Sequence, residues 1–374
     1  NPYRVTSSAA EILPADHISK KHPERFFRYD GKILFDPAYQ ENRDFICNVV
    51  KDIMQRYDVD AIHIDDYFYP YPVAGKSIPD DASYAKFGNG MKRADWRRHN
   101  VNLLIEQLHS TIKETKPWVR FGISPFGIWR NKKEDPRGSE SNGFTNYDGL
   151  YADILLWAKN GWVDYLSPQL YWELDKTVAP SRKLAKWWSD NAHGVDLYIG
   201  QDLRLTMNTP DTKAGKPNEL STKIKLTRTL PNVKGAIWFH GYWLTENYKG
   251  AHKQMMEDHY PTLALPPVYG DPSNLPQQVR DVKIAKERDG RSLIEWETPK
   301  KGHHKESESD VVKYVVYEFF PGEEQDLNNP EAIVAITPET AVVLPGVSEG
   351  NTYAVTAVDR MNRESKPIFV YSKK

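Results

Sequence analysis

The sequence predicts a parallel α/β domain followed by an all-β sandwich, and three observations carry that expectation. Apolar strand-like runs alternate with segments of helical period through the first two-thirds of the chain. Connections from helix to strand are a few residues long, whereas those from strand to helix are long. Ten of the eleven tryptophans precede a Pro-rich stretch, and beyond it come short β-branched runs at regular spacing.

Taken in order, Phe45, Ile46, Val49, Val50, Ile53, Met54 and Tyr57 recur at helical spacing, and a strand is expected over 59–65. An amphipathic helix around Val101, Leu104, Leu108 and Ile112 leads to a strand at 119–124. Helices over 150–159, 181–191 and 219–229 precede strands over 163–171, 197–202 and 235–240, and a last helix ends near His259. Helix-to-strand links are as short as Lys116-Pro117, Asn160-Gly161, His193-Gly194 and Pro231-Asn232; strand-to-helix loops run over 66–93, 127–148 and 203–218. In a barrel or an open doubly wound sheet alike, those longer loops carry the ligand site.

Residues 263–276 contain Pro266-Pro267, Pro272 and Pro276, cannot continue a helix, and read as a linker between domains at 1–262 and 277–374. The second domain has strand-like runs at 279–284, 292–296, 311–319, 332–336, 341–344 and 353–358. It resembles a fibronectin type III module: Trp296 sits where such modules bury a strand-B tryptophan, and Leu344-Pro345-Gly346, seven residues before Tyr353, resembles a tyrosine corner. A passive β-sandwich is the simpler expectation, because no aromatic stripe is evident, and a spacer or sugar-binding appendage the functional one.

Composition excludes several function classes. Lys+Arg 50 against Asp+Glu 51 leaves a net charge of −1, which does not favour an electrostatic nucleic-acid binder. No apolar run is long enough to span a membrane. Cys47 is the only cysteine, so an intramolecular disulfide and a Cys-based zinc site are both excluded, and it reads as a small packing residue. Phosphate-loop and dinucleotide motifs are absent, and no cofactor or metal is expected. Aromatics make up 12% of the chain, which hints at surfaces for stacking on sugars.

Strand parity sorts the side chains. If Ile62 and Ile64 face helices, His63 and Asp65 turn to the other face. The same rule sends Gly122 and Ser124, then Ser167, Gln169 and Tyr171, then Tyr198 and Asp202, then Trp238 and His240, to that face. Polar groups converging from several strand ends point to a site, because burying them unsatisfied costs about 1–3 kcal/mol each.

At these residues a family resemblance emerges. The strand Asp60-Ala61-Ile62-His63-Ile64-Asp65-Asp66-Tyr67-Phe68-Tyr69-Pro70 resembles the signature strand of the bacterial glycosyl hydrolase-like family 10. Phe121-Gly122-Ile123-Ser124-Pro125-Phe126-Gly127-Ile128-Trp129-Arg130 and Tyr165-Leu166-Ser167-Pro168-Gln169-Leu170-Tyr171-Trp172 resemble its next two strands, and Asn1-Pro2-Tyr3-Arg4 the tail of the one before. The resemblance implies a (β/α)8 barrel glycosidase acting on a bacterial or other polysaccharide outside the cytoplasm. Five strands cannot close an eight-stranded barrel, so the chain is expected to be the C-terminal part of such a domain. A weaker likeness to family 18 chitinases places Asp60, His63, Asp65 and Tyr67 on that family's acidic motif, with Tyr67 where its catalytic Glu would stand.

Cleaving a glycosidic bond takes two carboxyl groups, one as acid and one as base or nucleophile. Asp65 or Asp66 is the candidate for one role and Glu173 for the other, with Asp202 in reserve. Tyr67, Tyr69, Tyr71, Trp129, Trp172, Trp238 and Trp243 are candidates for stacking on sugar rings, and Arg4, His63, Gln169, Tyr171 and His240 for binding around them. Adjacent Asp residues after a strand also serve as turn or cap formers, and Glu173 could be a solvated loop charge. Two other classes compete. A metal-dependent deacetylase would need paired histidines beside Asp65-Asp66, and His303-His304 lies in a distant Lys/Glu-rich loop. A non-catalytic glycan-binding protein would need the aromatics without the carboxylates.

Overall fold

Strands β1 (Arg4–Thr6), β2 (Phe26–Tyr29) and β3 (Lys32–Phe35) form an antiparallel sheet in the order β1-β3-β2. Asp30 and Gly31 join β2 to β3 with both φ angles positive, 47° and 68°, as a tight type I′ hairpin turn requires. Hairpin β2–β3 thus offers an edge on which β1 pairs antiparallel, Val5 opposite Ile33. Arg4 therefore does not lie in a parallel strand preceding the main sheet, contrary to the sequence expectation. The computed structural model describes residues 4–6, 12–286, 291–300, 306–346 and 350–372, so Asn1 to Tyr3, the side chain of Arg4 and the pair His303-His304 lie outside the described residues.

The chain divides into two compact units, Asn1–Met255 and Met256–Lys374. At the centre of the first is a five-stranded parallel sheet of β4 (Ala61–Ile64), β5 (Arg120–Ile123), β6 (Tyr165–Leu166), β7 (Asp196–Asp202) and β8 (Val233–Phe239), in chain order. Register aligns Ile64, Ile123, Leu166, Leu197 and Val233 in one row, which packs against the helices that connect the strands. Leu104, Leu108 and Ile112 of helix Arg93–Thr115, Trp157 of Ile154–Lys159 and Trp188 of Ser181–Asp190 fill that core. The neighbouring row, His63, Gly122, Tyr165 and Asp196, faces the other way. This is the division the parity rule anticipates.

One strand departs from it. Between β7 and β8 the register slips, with Leu197 opposite Val233 but Tyr198 opposite Gly235. Lys234 is the extra residue, and such a bulge reverses every later side chain. Trp238 consequently stands beside Gln201 and packs with Leu203, Met207, Leu220 and Ile224 on the helix side. Ile237 and Phe239, expected against helices, are instead 42% and 52% exposed.

Helix Gln40–Arg56 buries Ile46, Cys47, Val50 and Met54 and exposes Phe45, Val49 and Ile53 on another face. Burial pushes the Cys47 thiol up to about 11, in keeping with a packing residue.

In the second unit, β9 (Arg280–Lys286), β10 (Ser292–Glu297) and β13 (Ala341–Leu344) form an antiparallel sheet in the order β13-β10-β9. A second antiparallel sheet runs β12 (Ile333–Thr337), β11 (Val311–Phe319), β14 (Thr352–Asp359) and β15 (Ile368–Tyr371). Val279, Ile294, Trp296 and Leu344 meet Tyr314, Val316, Tyr353 and Val355 in a shared core. The Tyr353 hydroxyl donates to Glu318 Oε1 at 2.5 Å, whereas a tyrosine corner would bond to upstream backbone.

Residues 263–374 expressed alone are expected to unfold cooperatively in urea, with Tyr353→Phe lowering stability by about 1–2 kcal/mol through loss of a carboxylate hydrogen bond. A broad, non-cooperative transition for the wild-type segment would show that it needs the preceding unit.

Candidate active site

The site lies where β4 ends. Ile64 is its last residue, and the next two are carboxylates in different surroundings: Asp65 is exposed and Asp66 is 2% exposed. Asp65 Oδ1 accepts the Asp66 backbone N–H at 2.8 Å and Gln169 Nε2 at 2.9 Å; the same Gln169 nitrogen donates to the Ser124 carbonyl. The Gln169 amide nitrogen thus ties the ends of three strands together. Asp66 Oδ2 accepts the Tyr71 hydroxyl at 2.5 Å.

Burial is the main reason that the Asp66 carboxyl is pushed up to about 6; the Tyr71 bond opposes it, and the neighbouring Asp65 adds to it by charge and by hydrogen bonding. Asp66 can therefore hold a proton well above the usual carboxylate range, beside an exposed carboxyl that reaches solvent.

Below this pair, the His63 ring joins Tyr165 through Nδ1 and Ser124 through Nε2, each at 3.0 Å, and stacks on the Tyr165 ring. Desolvation lowers the His63 pKa against the opposing pull of Asp65. Tyr165 can lie there because residue 122 is glycine: a Cβ at Gly122 would sit 1.9 Å from the Tyr165 ring. Arg120 stands over the Tyr165 ring at 5.0 Å and pairs with Asp196 at 2.6 Å.

Tyr171 brings the other strands in. Burial pushes its phenol up to about 12, and Asp65, Asp202 and Asp66 reinforce the shift, so all three carboxylates act on one hydroxyl. Its ring stacks on Phe239, centroids 5.6 Å apart. Asp202 also caps a helix, accepting the Leu205 N–H at 2.8 Å. Glu173 faces Lys176 at 3.8 Å and keeps its side chain 40% exposed.

The structure thus brings together Asp65, Asp66, His63, Gln169, Tyr171 and Asp202. Tyr67 lies beside them, edge-on to Tyr71, and Trp172 packs edge-on against Phe126. Other candidates stand elsewhere. Trp129 is 1% exposed, stacked against Trp187, and offers no free face to a sugar. Tyr69, in the loop that follows β4, is fully buried and edge-on to Tyr151. Trp238 is on the helix side because of the bulge, and His240 joins a cluster of rings with the exposed Phe239 and Tyr242 and the half-buried Trp243. The candidate set did not include Tyr165, Phe239, Lys223 and Glu219. Tyr165 shares the parity of Gln169 and Tyr171, a signal that was available in the sequence.

The sign of the Asp66 effect on stability follows from its shift. Its folded pKa of about 6 exceeds the ordinary 3.8, so the native state holds a proton that the unfolded chain releases. That contribution is complete below about pH 4 and is lost as pH rises through 6. Urea unfolding from pH 4 to 7.5 is expected to show Asp66→Asn gaining about 2 kcal/mol relative to wild type over that range. A pH-independent difference would contradict the assignment.

The family model described as glycosyl hydrolase-like 10 matches residues 7–216. Glycosyl hydrolase YngK of Bacillus subtilis (strain 168) is 37% identical over 377 residues, covering 98% of this chain and 72% of that protein. Glycosyl hydrolase DigH of Escherichia coli (strain K12) is 34% identical over 269 residues, covering 66% of this chain and 60% of that protein. Among solved structures, chitinase ChiA74 from Bacillus thuringiensis aligns over 90% of this chain and 62% of its own, at 11% identity and a TM-score of 0.37, too low to carry an argument. With a family model covering more than half its length and a glycosyl hydrolase 37% identical over nearly all of it, the chain belongs to the glycosyl hydrolase-like 10 family.

Proposed function

We propose that this protein is a glycoside hydrolase that cleaves O-glycosidic bonds of a cell-wall or other polysaccharide by carboxylate chemistry. One observation carries the proposal: an exposed Asp65 in contact with a buried Asp66 that accepts the Tyr71 hydroxyl and whose proton is retained up to about pH 6. A glycosidic oxygen is a poor leaving group until it is protonated, and an acid with a pKa near the working pH supplies that proton efficiently. In this mechanism Asp65 meets the leaving oxygen and Asp66 acts as the proton store behind it. Across Tyr171, Asp202 stabilises or attacks the anomeric carbon, or activates water beside it. Glu173 and Gln169 bind hydroxyls, and Tyr67, Trp172 and Phe239 offer faces to sugar rings.

The finer architecture belongs to the same proposal. Five parallel strands in chain order, with helices on one face and the site at their C-terminal ends, support part of a (β/α)8 barrel. Three- and four-stranded antiparallel sheets around Trp296 and Tyr353 support a fibronectin type III-like module. No helix among the described residues is long and apolar enough to cross a membrane. A location outside the cytoplasm, in the periplasm, at the cell surface or secreted, belongs to the same proposal and is supported by the polysaccharide class of substrate that it names.

The competing proposal, a glycan-binding protein without turnover, is separated by mutation. Release of reducing ends from bacterial polysaccharides is expected to fall at least about 10²-fold in Asp65→Asn and in Asp202→Asn. Asparagine preserves the helix cap at 202, so that variant tests the charge. Glu173→Gln is expected to raise KM more than it lowers kcat. Binding of the polysaccharide with no turnover by wild type would support the glycan-binding alternative; wild-type rates in the Asp65 and Asp202 variants would remove both carboxylates from the mechanism.

A further inference from the structure

The turn that follows β6 carries Tyr171, Trp172 and Glu173 to the rim of the site, and a buried ion pair holds it from beneath. Lys223 and Glu219 lie at the start of helix Leu220–Thr229, with Glu219 as its N-cap residue; they are 2% and 5% exposed. Lys223 Nζ donates to the Trp172 carbonyl at 2.9 Å and to Thr206 Oγ1 at 3.1 Å, and stands 3.3 Å from Glu219 Oε2. Both Glu219 oxygens accept the Leu174 N–H, at 2.9 and 3.2 Å. The backbone groups on either side of Glu173 are thus gripped by the two members of one pair, from a helix about fifty residues further along the chain.

Stability alone is a weak reason for this arrangement. Desolvating two charges offsets most of their attraction, and an apolar pair of similar volume is often as stable. What an ion pair adds is direction: an ammonium can point only at acceptors and a carboxylate only at donors, which fixes the height and orientation of the turn. We propose that Lys223 and Glu219 are positioning residues that set the 171–174 turn, and with it Tyr171, Trp172 and Glu173, against the carboxylates of the site. This inference rests on the glycosidase proposal for its consequence and on the hydrogen bonds alone for its geometry. Burial lowers the Lys223 pKa, while Glu219, Asp202 and Glu173 oppose that shift; two site carboxylates therefore act on the same ammonium.

The test uses the full chain and two readouts. Amide hydrogen exchange at Leu174 is expected to accelerate at least tenfold in Glu219→Ala and to stay near the wild-type rate in Glu219→Gln, which keeps an acceptor oxygen. Turnover of the polysaccharide is expected to show a KM raised about tenfold and a reduced kcat in Lys223→Met, with partial recovery in Lys223→Arg at an unchanged melting temperature. Unaltered Leu174 exchange in Glu219→Ala would overturn the geometry, and wild-type kinetics in a folded Lys223→Met would overturn its consequence. Should Lys223→Met fail to fold, the two Glu219 variants decide. A wild type without turnover would count against the glycosidase proposal, and the exchange experiment would still decide the clamp.

Discussion

The site depends on the alternation of side chains in a parallel sheet that is covered by helices on one face. Ile64, Ile123, Leu166, Leu197 and Val233 form a row that must meet the helical layer, so the residues between them are forced to the other face. That face then collects Arg120, His63, Tyr165, Gln169, Tyr171 and Asp202. Their hydrogen bonds run across strands, as in Gln169 to Asp65 and His63 to Tyr165, so the register that buries the core also assembles the polar layer.

The second constraint is local. Two aspartates in succession at a strand end cannot both face the same environment. Asp65 continues the open face of β4, and Asp66 turns into the protein, where Tyr71 answers one of its oxygens. Desolvation and the adjacent carboxyl together raise the proton affinity of Asp66, and neither the strand nor the loop alone would do so. The loop after β4 is held through Asp80, which is 1% exposed and pairs with Arg97 at 2.6 Å. Arg97 also donates to Tyr151, which packs edge-on against Tyr69. Tyr69 is thus better understood as a residue by which the loop is anchored than as a sugar contact.

The order of the parallel strands and the polar faces of β4 to β7 were legible in the sequence because period-two alternation survives wherever a strand keeps its register. It failed at β8, where the bulge at Lys234 is invisible to pattern reading and reversed Trp238 and Phe239. The hairpin at 26–35 was also missed, although Asp30-Gly31 between two apolar runs is a turn signal. Trp129 misled for another reason: aromatic residues on long loops pack those loops as readily as they face ligands. Lys223 and Glu219, four apart on a helix, have the spacing of a surface ion pair, and only the fold reveals them as buried.

The central claim is that the Asp65–Asp66 pair supplies the proton for glycosidic cleavage, with Tyr71 setting its proton affinity. The most direct measurement is the pH dependence of kcat/KM, which reports the ionisations of the free enzyme, for wild type and Tyr71→Phe. Removing the phenol takes away the hydrogen bond that lowers the Asp66 pKa, so the basic limb near pH 6 should move upward in the variant. A limb at the same pH in both proteins, or a rate independent of pH between 5 and 8, would contradict the claim.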